Sequence, residues 1–160
     1  MRVTLCASIF GALAVGVGGE ASPVPCSHVI DTTRFPFVAS GYRTVLSTFA
    51  VPPTYMREIE DTRRGPWRYW RKAGLVIRAG SEETTVSVAR RWRKRVAIGW
   101  GNRDGAYSRL RFSACPGAEE KGLAYAGGFQ LRIPAACVPL VFTVGDRSAT
   151  VRFGLGRRCR

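Results

Sequence analysis

The residues best suited to chemistry in this chain are cations set beside aromatic rings. Arg63, Arg64, Trp67, Arg68, Tyr69, Trp70, Arg71 and Lys72 form one cluster, and Arg90, Arg91, Trp92, Arg93, Lys94 and Arg95 form a second. A guanidinium next to an exposed ring can meet a phosphate, a carboxylate or a sugar through charge, forked hydrogen bonds, stacking and cation-π contact. Arg68, Arg71, Lys72 and the 90–95 run are therefore candidate anion-binding residues. A plainer reading stands ahead of that one: Trp67, Trp70 and Trp92 plug the ends of a small β-fold, which needs large apolar caps, while the arginines beside them stay in water.

Other chemistry finds less material. A Ser-His-Asp hydrolase needs a base between nucleophile and acid, and His28 is the only histidine. Glu58, Glu60, Asp61, Glu82, Glu83, Glu119 and Glu120 fall in polar stretches between apolar runs and read as solvated turn charges rather than as a glycosidase pair. Asp31, Asp104 and Asp146 read likewise. No C-x-x-C, metal-binding helix, nucleotide fingerprint or phosphate-binding glycine loop occurs, so no catalytic residue, cofactor or metal site is assigned. The expectation is a protein that is not an enzyme.

The whole chain is strongly basic, with 25 Lys+Arg against 11 Asp+Glu and a formal charge of +14 over 160 residues. Only Lys72, Lys94 and Lys121 are lysines, so arginine carries the charge. That bias follows equally from a GC-rich genome or from a need for guanidinium chemistry.

Residues 1–21 read as a signal peptide: Arg2 opens it, Val3 to Val17 is uncharged, and Gly19-Glu20-Ala21 offers a small-x-small cleavage site. The uncharged run is short of the roughly 20 residues a spanning helix needs, and no later segment is long and apolar enough, so the mature chain is expected to have no membrane span. Cys6 leaves with the signal, and Cys26, Cys115, Cys137 and Cys159 remain as disulfide candidates in a secreted, extracellular or cell-wall-associated protein. Four thiols allow three pairings. A simple meander puts Cys137 and Cys159 at the same end and leaves Cys115 for Cys26, whereas a crossover between sheets would permit Cys115 with Cys137.

The elements that must position these groups are strands. Residues 22–40 carry three prolines without a sustained period and read as an extended N-terminal arm, which leaves 41–160 as the domain. Tyr42 to Val51 reads as one strand stopped by Pro52-Pro53, and Tyr55 to Arg64 as loop. Ala73, Leu75, Ile77 and Ala79 alternate, as do Val86 with Val88, then Val96, Ile98 and Trp100, then Leu110, Phe112 and Ala114. Turns fall at Ser81 to Glu83, at Gly101-Asn102 and at Asp104-Gly105. The clearest hairpin sets Val138, Leu140, Phe142 and Val144 against Ala149, Val151, Phe153 and Leu155 across Gly145-Asp146-Arg147. Pro139 places its strand at an edge, or at its own start. Gly127-Gly128 predicts a bulge or a close backbone approach. Seven to eight short strands without a helix predict an all-β fold, an antiparallel, immunoglobulin-like β-sandwich, with a small β-barrel as the alternative.

The segments AYAGGF (124–129), ACVPLVF (136–142) and SATVRFGLG (148–156), with Cys159 in a closing FGLGRRC, carry a resemblance. From about Gly65 to Arg160 the chain resembles a group of small exported β-rich proteins of Gram-positive, actinobacterial-type genomes. The resemblance implies export, a β-rich fold and paired cysteines, and it implies no substrate.

Charge and export together point to a non-enzymatic module for an anionic polymer or cell-surface component, such as a phosphate-bearing wall polymer, through Arg90 to Arg95. The alternative is a structural or protein-interaction domain whose charge is compositional, binding through a sheet edge or an apolar patch. Nucleic acid would satisfy the same cations, but export argues against it. A hydrolase ranks last.

Overall fold

The computed structural model describes residues 20–102 and 105–160. Apart from Glu20 and Ala21, the predicted signal segment lies outside the described residues, as do Cys6 and Asp104. Within them the chain is all-β, with no α-helix and no helix long and apolar enough to cross a membrane.

The strands, in chain order, are β1 (Ser22–Val24), β2 (Asp31–Arg34), β3 (Arg43–Val45), β4 (Phe49–Val51), β5 (Tyr55–Met56), β6 (Glu60–Asp61), β7 (Tyr69–Lys72) and β8 (Leu75–Arg78). They continue as β9 (Thr84–Val88), β10 (Val96–Ile98), β11 (Arg109–Phe112), β12 (Lys121–Tyr125), β13 (Gly128–Leu131), β14 (Ala136–Val144) and β15 (Arg147–Leu155). They form three open sheets: a six-stranded one ordered β1-β11-β9-β14-β15-β5, a five-stranded one ordered β2-β12-β8-β4-β3, and a four-stranded one ordered β10-β13-β7-β6. No sheet closes into a barrel. Most pairings are antiparallel, as the turn spacing predicts, but β1 with β11 and β15 with β5 are parallel.

Alternation sends one face of most strands into one main core, and Phe35, Ala50 and Val76 form a second small cluster. Val86, Val88, Leu110, Phe112, Leu140, Phe142, Val151 and Phe153 are buried on the six-stranded sheet, and most of their neighbours in sequence are half-buried or exposed. A chain of rings ties the sheets together: Phe49 of β4 packs edge-on to Phe142 of β14 at 5.2 Å between centroids, Phe153 of β15 lies 5.3 Å from Phe129 of β13, and Phe129 lies 5.3 Å from Trp100.

Several expectations need correcting. Residues 22–40, read as an extended arm, contribute two strands. β1 adds to β11 and β2 to β12, because Val24 fills the core while the edge strand β2 leaves its Thr and charged residues toward water. The predicted strand Tyr42 to Val51 is a hairpin, broken where Leu46 and Ser47 take positive φ (53° and 54°). Residues 55–64, expected as loop, contribute β5 and β6.

Pro139 lies inside β14, which is central rather than at an edge. A strand residue directs its N and its C=O to the same neighbour, and the Pro139 carbonyl accepts from Ala89 N at 3.1 Å. The missing N–H therefore faces β9 at the rung where β9 ends, so no full ladder bond is lost. Gly127-Gly128 is a close approach. The chain passes there from β12 in one sheet to β13 in another, and a Cβ on Gly127 would sit 2.6 Å from Trp100 Cα while one on Gly128 would meet the Arg71 carbonyl oxygen.

Cys26 is bridged to Cys115 and Cys137 to Cys159. The first ties the segment after β1 to the end of β11; the second closes the C-terminal tail onto the start of β14.

Candidate functional site

The two basic clusters occupy different kinds of backbone. Trp70, Arg71 and Lys72 belong to β7, whose lack of apolar alternation conceals a strand, while Arg90–Trp92 form a 3-10 turn that carries the chain from β9 in the six-stranded sheet to β10 in the four-stranded one. In that turn Trp92 N donates to the Ala89 carbonyl at 2.8 Å and Arg95 N to the Trp92 carbonyl at 2.8 Å. This exposes Arg90, Arg91, Lys94 and Arg95 and turns the half-buried Trp92 onto the core.

Strand register then brings the clusters together. Val96 of β10 pairs with Leu131 of β13, and Leu131 pairs with Tyr69 of β7. One position further along, Arg95, Arg132 and Arg68 fall on a common rung, and Arg132 N donates to the Arg95 carbonyl at 2.9 Å. Neighbouring strands are about 4.8 Å apart and cross-strand neighbours share a face, so the three arginines form a row of residues along that rung. Arg132 is the member that sequence reading missed. It stands alone in Leu131-Arg132-Ile133, and only the non-local pairing of β13 with both neighbours places it between the clusters.

The cations differ in what already holds them. Arg68 grips Asp61 with a two-point fork, Nε to Oδ1 at 2.8 Å and Nη2 to Oδ2 at 2.7 Å. That hydrogen-bonded guanidinium holds the Asp61 carboxyl down at about 2 and pushes the Arg68 group up in turn. Arg71 donates to the Glu58 carbonyl at 3.1 Å with the Glu58 carboxylate 4.0 Å away, and Arg93 Nε donates to the Val88 carbonyl at 3.1 Å. Arg68, Arg71 and Arg93 are thus engaged by the protein. Arg90, Arg91, Lys94, Arg95, Arg132 and Lys72 are exposed and have no ion-pair partner among the described residues.

Trp67 stands beside the row with the Arg132 guanidinium 4.6 Å from its ring centroid. The indole also lines an open cavity of about 580 Å³ with Glu60, Asp61, Thr62, Arg64 and Gln130. Gln130 is held by Nε2 donating to the Gly105 carbonyl at 2.8 Å.

The remaining candidates lie elsewhere. His28 belongs to a 3-10 turn beside the Cys26 bridge and lines another cavity with Asn102 and Tyr107. Glu82 and Asp146 sit near the Thr84 and Val144 end of the six-stranded sheet, opposite the Arg90–Trp92 turn, and Glu119 pairs loosely with Arg78 at 3.8 Å. Among the described residues no cluster of three or more His, Cys, Asp or Glu side chains could hold a metal ion. Comparison with protein-family models, with curated proteins and with solved structures finds no match.

Proposed function

We propose that the protein is an exported, non-enzymatic binding module, built as a small β-sandwich, that engages an anionic extracellular or cell-wall polymer. The observation that carries this reading is the shared rung of Arg95 and Arg132 beside exposed Arg90, Arg91 and Lys94, none of them neutralised by a nearby carboxylate among the described residues. Like charges held close on rigid strands repel one another unless a polyanion meets them, and a ligand that supplies several anionic groups gains from the row as a unit. Two disulfides support an oxidising compartment.

The test is retention of the folded protein on a heparin-type resin. Elution should move steeply with salt, and a variant with Arg91, Lys94 and Arg95 changed to Ser should elute well before wild type. Retention that ignores both salt and these changes would end the proposal. A protein-interaction role is the second reading, favoured by the exposed apolar side chains of Ile30 and Val38, 57% and 66% accessible. It predicts recovery of a defined protein partner that survives high salt.

A further inference from the structure

The cavity beside the cation row carries the reading of an anionic polymer one step further. We infer that this cavity seats a sugar ring, so that the polymer is an acidic polysaccharide whose ring packs against Trp67 while its anionic substituents lie on Arg132 and Arg95. The inference rests on the polyanion reading above and adds the chemical class of the ligand.

Three features of the cavity point to a ring rather than to bare phosphates. Trp67 presents an indole that is half-buried and backed on the Arg132 side by a guanidinium at 4.6 Å, which fixes it as a platform. The volume of about 580 Å³ suits one or two sugar rings. The polar groups on its walls are of both signs: the Glu60 carboxylate is exposed with no ion-pair partner among the described residues, Arg64 brings an exposed guanidinium, and Gln130, with one Nε2 hydrogen on the Gly105 carbonyl, keeps Oε1 and a second N–H. A bare polyanion entering here would meet the charge of Glu60. A hydroxylated ring would instead donate to it, and hydrogen bonds to a charged acceptor are the stronger kind. The cations for the acidic substituents are Arg64 on the cavity wall and Arg132 and Arg95 on the adjoining rung. The arrangement therefore sets a carboxylate acceptor for ring hydroxyls among cations for the ring's acidic substituent, a pairing that an acidic sugar matches and a string of bare phosphates does not.

The experiment compares two probes on the full chain at one ionic strength: an oligogalacturonate and a linear inorganic polyphosphate of matched charge. In the wild type both should bind, and the Trp67 indole N–H resonance, assigned by its loss in Trp67→Phe, should move with the oligogalacturonate and stay in place with polyphosphate. Trp67→Ala should weaken the oligogalacturonate about tenfold and polyphosphate less than about twofold, the size expected for one central ring contact. Glu60→Ala should weaken the oligogalacturonate alone. Equal losses for both probes, or an indole resonance indifferent to the oligogalacturonate, would overturn the inference while leaving the polyanion reading intact. Should Trp67→Ala fail to fold, the wild-type resonance and Glu60→Ala decide the matter. Wild-type protein that bound neither probe would remove both readings together.

Discussion

Trp100 and Ala73, twenty-seven positions apart in the chain, are joined by a buried hydrogen bond from the indole Nε1 to the Ala73 carbonyl at 2.6 Å. The ring is fully buried against Phe129, and its one polar atom takes up the carbonyl where the chain leaves β7 for β8. Trp100→Phe keeps much of the ring but leaves that carbonyl without this donor. Urea unfolding should show a loss of about 1–3 kcal/mol at an unchanged m value, since the compactness of neither state is altered.

Gly128 should tolerate substitution far less well than Gly65. A Cβ on Gly128 would collide with the Arg71 carbonyl oxygen and sit 3.0 Å from Ala73 N, both backbone atoms that cannot swing aside. A Cβ on Gly65 meets nothing within 4 Å, and only its φ of +56° resists a side chain. Thermal or urea unfolding should therefore place Gly128→Ala about 3 kcal/mol or more below wild type and Gly65→Ala within about 1–2 kcal/mol.

The same glycines illustrate what could be read from the chain. Gly127-Gly128 inside an apolar run announces a close approach because no other residue type lets two backbones come so near, and the β14–β15 hairpin announces itself because both strands bury every second residue. The break at Leu46-Ser47 escapes notice since neither residue favours positive φ, and the turn shows only in the pairing of β3 with β4. β7 escapes because Trp70 and Arg71 are both half-buried, so no alternation of polar and apolar residues marks the strand. Both halves of the cation row are visible as sequence clusters. Their meeting at Arg132 is not, because register between residues 31 or more positions apart depends on the whole sheet order rather than on any local pattern.

The Asp61–Arg68 pair makes a prediction about acid. The Asp61 carboxyl titrates at about 2, below the ordinary carboxylate range, chiefly because Arg68 hydrogen-bonds to the ionised form. A depressed folded value means the pair's contribution is complete above the unfolded carboxylate value and fades as pH falls through about 2. Both groups are exposed, so the effect should be local to the β6–β7 hairpin rather than global. Carboxyl chemical shifts should follow Asp61 to that low midpoint, and Asp61→Asn should lose hydrogen-exchange protection at Thr62 N, which donates to the Arg68 carbonyl at 2.9 Å. Unchanged protection would show the fork to be incidental.

The two bridges should differ in weight. Cys26–Cys115 spans 89 positions and Cys137–Cys159 spans 22. Chain entropy in the unfolded state then assigns about 4.6 kcal/mol to the first and about 3.4 kcal/mol to the second. Replacing each pair by serines and measuring denaturant midpoints should rank them in that order. The reverse order would indicate that fastening the tail after β15 matters more than restraining the unfolded chain.

Within the 90–95 run, Arg93 and Arg91 should separate cleanly although the sequence sets them side by side. Arg93 is half-buried, with Nε on the Val88 carbonyl at the point where β9 ends, so it holds the turn. Arg91 is exposed and makes no ion pair among the described residues. Arg93→Ser should lower stability by about 1 kcal/mol, the ordinary net value of a hydrogen bond with some lost packing. Arg91→Ser should leave the unfolding midpoint in place and reduce the salt dependence of polyanion binding by about one unit of slope, as loss of one surface cation predicts. Unfolding curves and salt titrations on the two single variants decide it. If Arg93→Ser reduced the slope while the fold stayed unperturbed, its guanidinium would belong to the binding surface and the division between holding and binding cations drawn at Val88 would be wrong.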